Sequence, residues 1–312
     1  NKLWNAARFV MMKTEGEDCG IAAGAEVRLS AADRWILSRL QSTIATVRSA
    51  IDGYRFDLAA QALYEFTWNN YCDWYLELTK PALSEDAADP AAQRGTRRTL
   101  VQVLESLLRL LHPIMPFITE EIWQRAAPLA GVQGETIMRQ PYPQADAGLD
   151  DPEAVREMDW VMQFILGIRK IKGEMNIAPG KPVPVLLANA SASDAEWASR
   201  HRPYLDFLAR TESVTVLPAG DHGPESATAL VGDMKVLIPL AGLIDKDAEL
   251  KRLEKEMGRL TQEVQRTEAK LNNPKFVDKA PDAVVQKERD KLSEARSALE
   301  NLQAQAEKIR AL

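Results

Sequence analysis

Apolar positions along the chain recur mostly every three or four residues, the period of an amphipathic helix. Leu3, Ala6, Ala7 and Val10 set out a first helix from the start of the chain. A Gly-rich connector, Gly16 to Gly24, leads to a second helix beginning near Ser30, where Asp33 three residues on completes a cap. Trp35, Ile36, Leu40, Ile44, Val47 and Ile51 form its stripe. The spacing predicts a third helix from about Asp57 to Thr79, stopped by Pro81, and a fourth from about Gln93 to Leu111, ending at His112-Pro113. Pro113 and Pro116 stiffen the turn before a short helix carrying Thr119, Glu120, Glu121 and Trp123. Short loops between long amphipathic helices predict an antiparallel bundle.

From Pro128 to Pro152 the composition shifts to Gly, Pro, Gln and Asp, which predicts a surface connection with at most a short extended piece near Thr136 to Met138. A helix follows from about Glu153 to Glu174. The period then changes: Val183–Leu187 and Ser213–Leu217 read as strands around a helix at Asp194–Arg210, and Thr228–Val231 with Lys235–Leu240 flank the hairpin signal Gly232-Asp233. Last comes a heptad seam, Leu250, Leu253, Met257, Leu260, Val264, Thr267 and Leu271, broken at Asn273-Pro274. It resumes at Val285, Leu292, Ala295, Leu299, Leu302, Ala306 and Ile309, so the two arms should fold back as an antiparallel coiled-coil hairpin. The fold class is therefore mainly α: a helical bundle over residues 1–152, a connecting helix and small α/β module over 153–244, and a hairpin arm over 245–312.

The chain has a formal net charge of −6, which disfavours indiscriminate coating of nucleic acid by bulk positive charge, so any RNA or DNA contact must come from local patches. Residues 245–312 carry a local +1, a relatively basic arm in an acidic chain. No apolar run approaches the ~18 residues that would span a bilayer, so no membrane partner is expected. Cys19 and Cys72 are too few and too far apart for a zinc motif or disulfide scaffold, which fits a reducing, cytoplasmic setting. The opening on Asn1, without initiator Met or signal-type stretch, reads as a piece cut from a longer protein.

Catalytic arrangements are hard to find. His112, His201 and His222 stand in separate segments without metal spacing, and neither a phosphate-cradling Gly-x-x-x-x-Gly-Lys loop nor a Gly-x-Gly-x-x-Gly turn occurs. No catalytic residue, metal or cofactor is expected in this chain. The segment Phe66-Thr-Trp-Asn-Asn-Tyr-Cys-Asp-Trp-Tyr is denser in rings than a bundle needs. Those rings serve as helix core or as a wall on which single-stranded RNA bases are splayed, and periodicity alone does not decide. Cys72 and Leu76 share a face at helical spacing; Lys2, Asn5 and Phe9 share another, offering a cation, an amide and a ring in register. In the hairpin, Arg266 lies beside seam residue Thr267 and Lys291 beside Leu292, either as solubilising charge or as contacts to a phosphate backbone.

Three strings carry a resemblance: Asn1-Lys-Leu-Trp-Asn-Ala-Ala-Arg-Phe-Val, Cys72-Asp-Trp-Tyr-Leu-Glu-Leu-Thr-Lys-Pro and His112-Pro-Ile-Met-Pro-Phe-Ile-Thr-Glu-Glu-Ile-Trp. They resemble the anticodon-binding bundle of class I aminoacyl-tRNA synthetases for branched aliphatic amino acids. The terminal hairpin, with Asn273-Pro-Lys-Phe-Val-Asp-Lys-Ala-Pro at its bend, resembles the valyl-tRNA synthetase family. The resemblance implies the C-terminal, tRNA-recognising part of a valine–tRNA ligase, monomeric and cytoplasmic, with tRNA(Val) and the upstream catalytic and editing domains as partners. ATP and Mg would belong to that upstream part, because His-Ile-Gly-His and Lys-Met-Ser-Lys-Ser occur nowhere here. By the same resemblance Lys2, Phe9, Cys72 and Leu76 face the anticodon, with Asn5 added from the helix face, and Arg266 and Lys291 meet the tRNA elbow. The competing expectation is a structural coiled-coil module, serving oligomerisation without tRNA preference.

Overall fold

The computed structural model describes residues 1–84, 89–241, 246–273 and 282–310. The first helix, α1, spans Lys2–Thr14 and buries Leu3, Ala6, Ala7 and Val10, the four positions of its apolar stripe. α2, Ala31–Asp52, opens on a capping box in which the Ser30 side chain takes the Asp33 backbone N–H and the Asp33 carboxylate takes that of Ser30. α5, Pro90–Leu111, is the central helix: Leu100, Val101, Val103, Leu104, Leu107, Leu108 and Leu110 are all fully buried. At ~1.5–3 kcal/mol per buried aliphatic side chain, this row is a leading source of bundle stability. Gly95 lets the connector lie flat on α5, since an added Cβ would sit 2.1 Å from the Arg28 carbonyl oxygen. α6, Pro116–Leu129, closes the bundle and buries Trp123.

The expected third helix differs from expectation at its centre and its end. One helical run comprises α3, Phe56–Glu65, a π-helical stretch, Phe66–Tyr75, and α4, Leu76–Ala82. Pro81 lies inside the last turn instead of stopping the helix before it. The wider π winding turns Phe66, Tyr71 and Tyr75 fully inward. The Tyr71 hydroxyl donates to the Leu100 carbonyl at 3.1 Å and that of Tyr75 to the Asp33 carboxylate at 2.7 Å. Asp33 also accepts from the Thr96 hydroxyl at 3.1 Å, so one buried carboxylate joins α2, the π stretch and α5. Burial pushes its carboxyl pKa up, and the hydrogen bonds oppose that shift.

The segment near Thr136 is a 3-10 turn, Ile137–Arg139, and not extended. Glu120 gathers the Thr136 hydroxyl at 2.8 Å and the Ile137 N–H at 3.2 Å, which tightens the chain there. α7, Pro152–Glu174, packs on α2 and on a four-stranded sheet made of β1 Val183–Ala188, β2 Thr211–Val216, β3 Ser226–Val231 and β4 Met234–Pro239. The sheet order is β2-β1-β4-β3; β1 and β2 are parallel and the other pairs antiparallel. The crossover expected as one helix is two, α8 Ala192–Arg200 and α9 Arg202–Ala209. Pro203, in the first turn of α9, has no N–H to continue the α8 ladder, and the chain breaks at His201.

The hairpin arms are α10, Lys246–Leu271, and α11, Asp282–Arg310. They lie antiparallel, as the ion pair between Lys270 in the last turn of α10 and Glu288 early in α11 shows at 2.6 Å. Leu253, Leu260, Thr267, Val285, Ala295 and Ala306 are buried along the seam. Pro274–Pro281, at the expected bend, and the Ile309 side chain lie outside the described residues.

Candidate nucleic-acid interface

α1 runs beside the π stretch, and that neighbourhood gathers residues far apart in sequence. Lys2 forms an ion pair with Asp73 at 2.5 Å and stands over the Trp68 ring, 5.1 Å from its centroid. Phe9, one helical side further along α1, is half-buried with the Lys80 ammonium 6.0 Å from its ring centre. Asn5 is exposed on α1 between them in sequence. Cys72 is half-buried close to Lys2; burial pushes its thiol up to about 11, more than the nearby ammonium pulls it down. The thiol is therefore neutral at pH 7 and acts as a small apolar surface with a weak donor. Leu76 is only 7% exposed and belongs to the core, so it meets the surface only at its edge.

The aromatic segment thus divides. Phe66, Tyr71 and Tyr75 are core, while Trp68 and Trp74 are half-buried, and Trp68 stacks on the exposed Tyr64 at 4.8 Å. Trp68, Asp73 and Lys80 are neighbours that helical spacing did not reveal, because the contact is between helices. The arrangement offers ring faces, an ammonium and an amide on one surface, the set that stacks and hydrogen-bonds unpaired bases.

On the hairpin, Arg266 is exposed, whereas Lys291 pairs with Glu263 of the other arm at 3.1 Å. Two more ion pairs cross the arms, Arg296 with Glu268 and Lys270 with Glu288, both at 2.6 Å. Two of the three histidines serve structure: His112 Nδ1 lies 2.8 Å from the Thr119 hydroxyl, and buried His201 Nε2 lies 2.6 Å from Glu157. Among the described residues no three His, Cys, Asp or Glu side chains gather as a metal site would need, and no helix is long and apolar enough to cross a membrane.

Two comparisons define the class. Residues 33–187 match the family described as the anticodon-binding domain of tRNA ligase, which takes in α2 to α7 and most of β1 and begins after α1. The fold over those residues is that of a tRNA-recognition domain of a tRNA ligase. Residues 245–310 match the valyl tRNA synthetase tRNA binding arm, which is the hairpin. The chain belongs to the valyl-tRNA synthetase family.

Proposed function

We propose that the chain reads tRNA(Val) at two places. The surface of α1 and the π stretch holds the anticodon: Phe9 gives a stacking face, Lys2 a phosphate or base-edge donor, Asn5 an amide, and Cys72 with the edge of Leu76 an apolar wall. The hairpin braces the tRNA elbow through Arg266 and Lys291. The observation that carries this reading is the meeting of Lys2, Trp68, Cys72, Phe9 and Lys80 at one helix–helix border. In this division residues 1–152 read the anticodon, 153–244 space the parts and 245–312 form the arm. The polypeptide works as a cytoplasmic monomer in which upstream catalytic and editing domains join valine to tRNA(Val), with ATP and Mg bound there.

The competing reading, a dimerising coiled coil, is disfavoured by a hairpin that covers its own seam and crosses its own charges. Fluorescence anisotropy tests the proposal: the chain is titrated with a valine tRNA transcript and with the same transcript carrying a replaced anticodon, at one fixed salt. Preference for the valine anticodon is expected. Equal binding to both would remove the anticodon surface from the account, and no binding to either would remove both surfaces.

A further inference from the structure

We propose that the cleft between α4, α7 and α9 is an additional RNA-backbone site, seating phosphates of the strand whose bases lie at α1. This deepens, and rests on, the tRNA reading above. The cleft has a volume of about 830 Å³, and Lys80, Arg169, Lys172 and Arg210 contribute to its lining. Its one acidic lining residue, Glu77, is bound to Lys80 at 2.6 Å. Lys80 also stands over the Phe9 ring, so the cleft is continuous with the anticodon surface through a single side chain.

The two arginines are positioned but lack counter-charges. Arg169 donates to the Leu208 carbonyl at 3.1 Å and lies over Trp74, 5.9 Å from its centroid; Arg210 lies over Phe207 at 5.4 Å. Among the described residues neither has a carboxylate within ion-pair distance, whereas Lys2, Arg34, Arg39 and Arg55 of the bundle and Arg200 of α8 each have one. A guanidinium fixed by one contact keeps other donors of its fork for a bidentate phosphate.

The backbone supplies an independent sign. Arg210, at the C-terminal end of α9, is left-handed at φ 55° and ψ 54°, a conformation that costs a non-glycine residue on the order of 1–2 kcal/mol and that helix ends usually give to glycine. Residues held in this region cluster at binding and catalytic sites, and Asn176, also left-handed at φ 53°, lines the same cleft. Behind it, buried Lys172 donates to the carbonyls of Pro179, Lys181 and Ala209 at 3.3, 2.7 and 2.9 Å. That spoke holds the end of α9 against the loop after α7, so the cleft is preformed and its floor is cationic.

The test uses Arg169→Ala and Arg210→Gly together in the full chain, with the two transcripts of the anticodon experiment titrated over a range of salt. Removing two phosphate contacts on a single strand should flatten the slope of log affinity against log salt by about 1.4 and weaken binding roughly fourteenfold near 0.15 M salt. The anticodon preference should be kept, and Arg210→Gly alone should melt no lower than the parent chain. The pair Arg169→Lys and Arg210→Lys, which keeps the charge, should keep most of the slope. If the parent chain prefers the valine anticodon and the double variant has an unchanged slope, the cleft proposal is wrong and the anticodon reading stands; an acidic protein segment would then be the better occupant. A flattened slope without anticodon preference in the parent would support the cleft and remove the anticodon reading. Failure of the parent chain to bind either transcript would overturn both. A double variant that melts several degrees lower and loses affinity and preference together would mark the arginines as structural, and overturn the proposal too.

Discussion

The bundle and the hairpin are both helices packed on helices, yet they are held together by different means. In the bundle, α5 is enclosed by its neighbours and buries seven aliphatic side chains completely, and buried polar groups such as Asp33 fix how the helices meet. In the hairpin each helix packs chiefly on the other, burial follows a seam whose residues Leu253 and Ala306 join the core of the rest of the chain, and ion pairs cross in solvent. The first arrangement fixes individual side chains, as reading bases requires. The second gives a long charged surface with little core, as bracing a backbone requires.

Breaking the comparison on the bundle side should have the largest effect. Asp33→Ala removes the carboxylate half of the α2 capping box, the acceptor of the Ser30 N–H, and leaves the Tyr75 and Thr96 hydroxyls without their shared acceptor. At about 1–3 kcal/mol for each stranded buried hydroxyl, the two give a loss of about 2–6 kcal/mol. Urea unfolding followed by tryptophan fluorescence measures it, and a loss under about 1 kcal/mol would show that the carboxylate is not a joint of the bundle. On the hairpin side, Leu260→Ala truncates a buried seam residue that lies away from the core shared with the bundle and should cost about 2–3 kcal/mol. That loss should appear in helical circular dichroism, leave bundle fluorescence unmoved and spare anticodon preference; a loss of preference would mean that the two regions are not independent.

Phe9→Ala should act on recognition more than on folding. Stacking of a base on a ring is worth ~1–3 kcal/mol, so the preference for the valine anticodon should narrow about tenfold while affinity for the swapped transcript changes little. A uniform loss for both transcripts would make Phe9 a packing residue only.

Smaller still is the response to pH. Burial lowers the pKa of His201 more than its contact with Glu157 raises it, with Arg200 and Arg34 also opposing its charge. The unfolded chain then binds the extra proton first, so the stability of the module built on α7, α8 and α9 should hold above about pH 6.5 and fall as pH drops through that value toward the folded pKa. The hairpin has no histidine and should melt unchanged across the same range. His201→Gln should flatten that module's response; an equally steep fall in the variant would assign it to other groups.

Legibility in the sequence followed the range of the interactions. The Ser30–Asp33 cap, the α1 stripe and the hairpin seam are local periodic signals, and each appears where spacing predicts it. The π stretch was not legible, because its winding is imposed by Tyr71 and Tyr75 reaching Leu100 and Asp33 on other helices. Nor was the division of the aromatic segment, since Trp68 becomes surface only through where α1 lies. The break at His201 was written in Pro203 and passed over. Of the candidate site, spacing along α1 gave Lys2, Asn5 and Phe9 as one face, but Lys80 and Asp73 as their partners are tertiary facts.

The smallest effect expected is a difference between two cations on the hairpin. Arg266→Ala should weaken binding of both transcripts alike, roughly fivefold near 0.15 M salt, and flatten the salt slope by about 0.9, as loss of one phosphate contact would. Lys291 must first leave Glu263, and an exposed ion pair is worth ~0.2–1 kcal/mol, so Lys291→Ala should lose less, about two- to threefold. Glu263→Gln in the parent chain removes that competitor and should tighten binding by a similar factor. If Glu263→Gln changes nothing while Lys291→Ala weakens binding as much as Arg266→Ala, Lys291 meets RNA without leaving its partner. The inter-arm pair would then be part of the contact surface and not a restraint upon it.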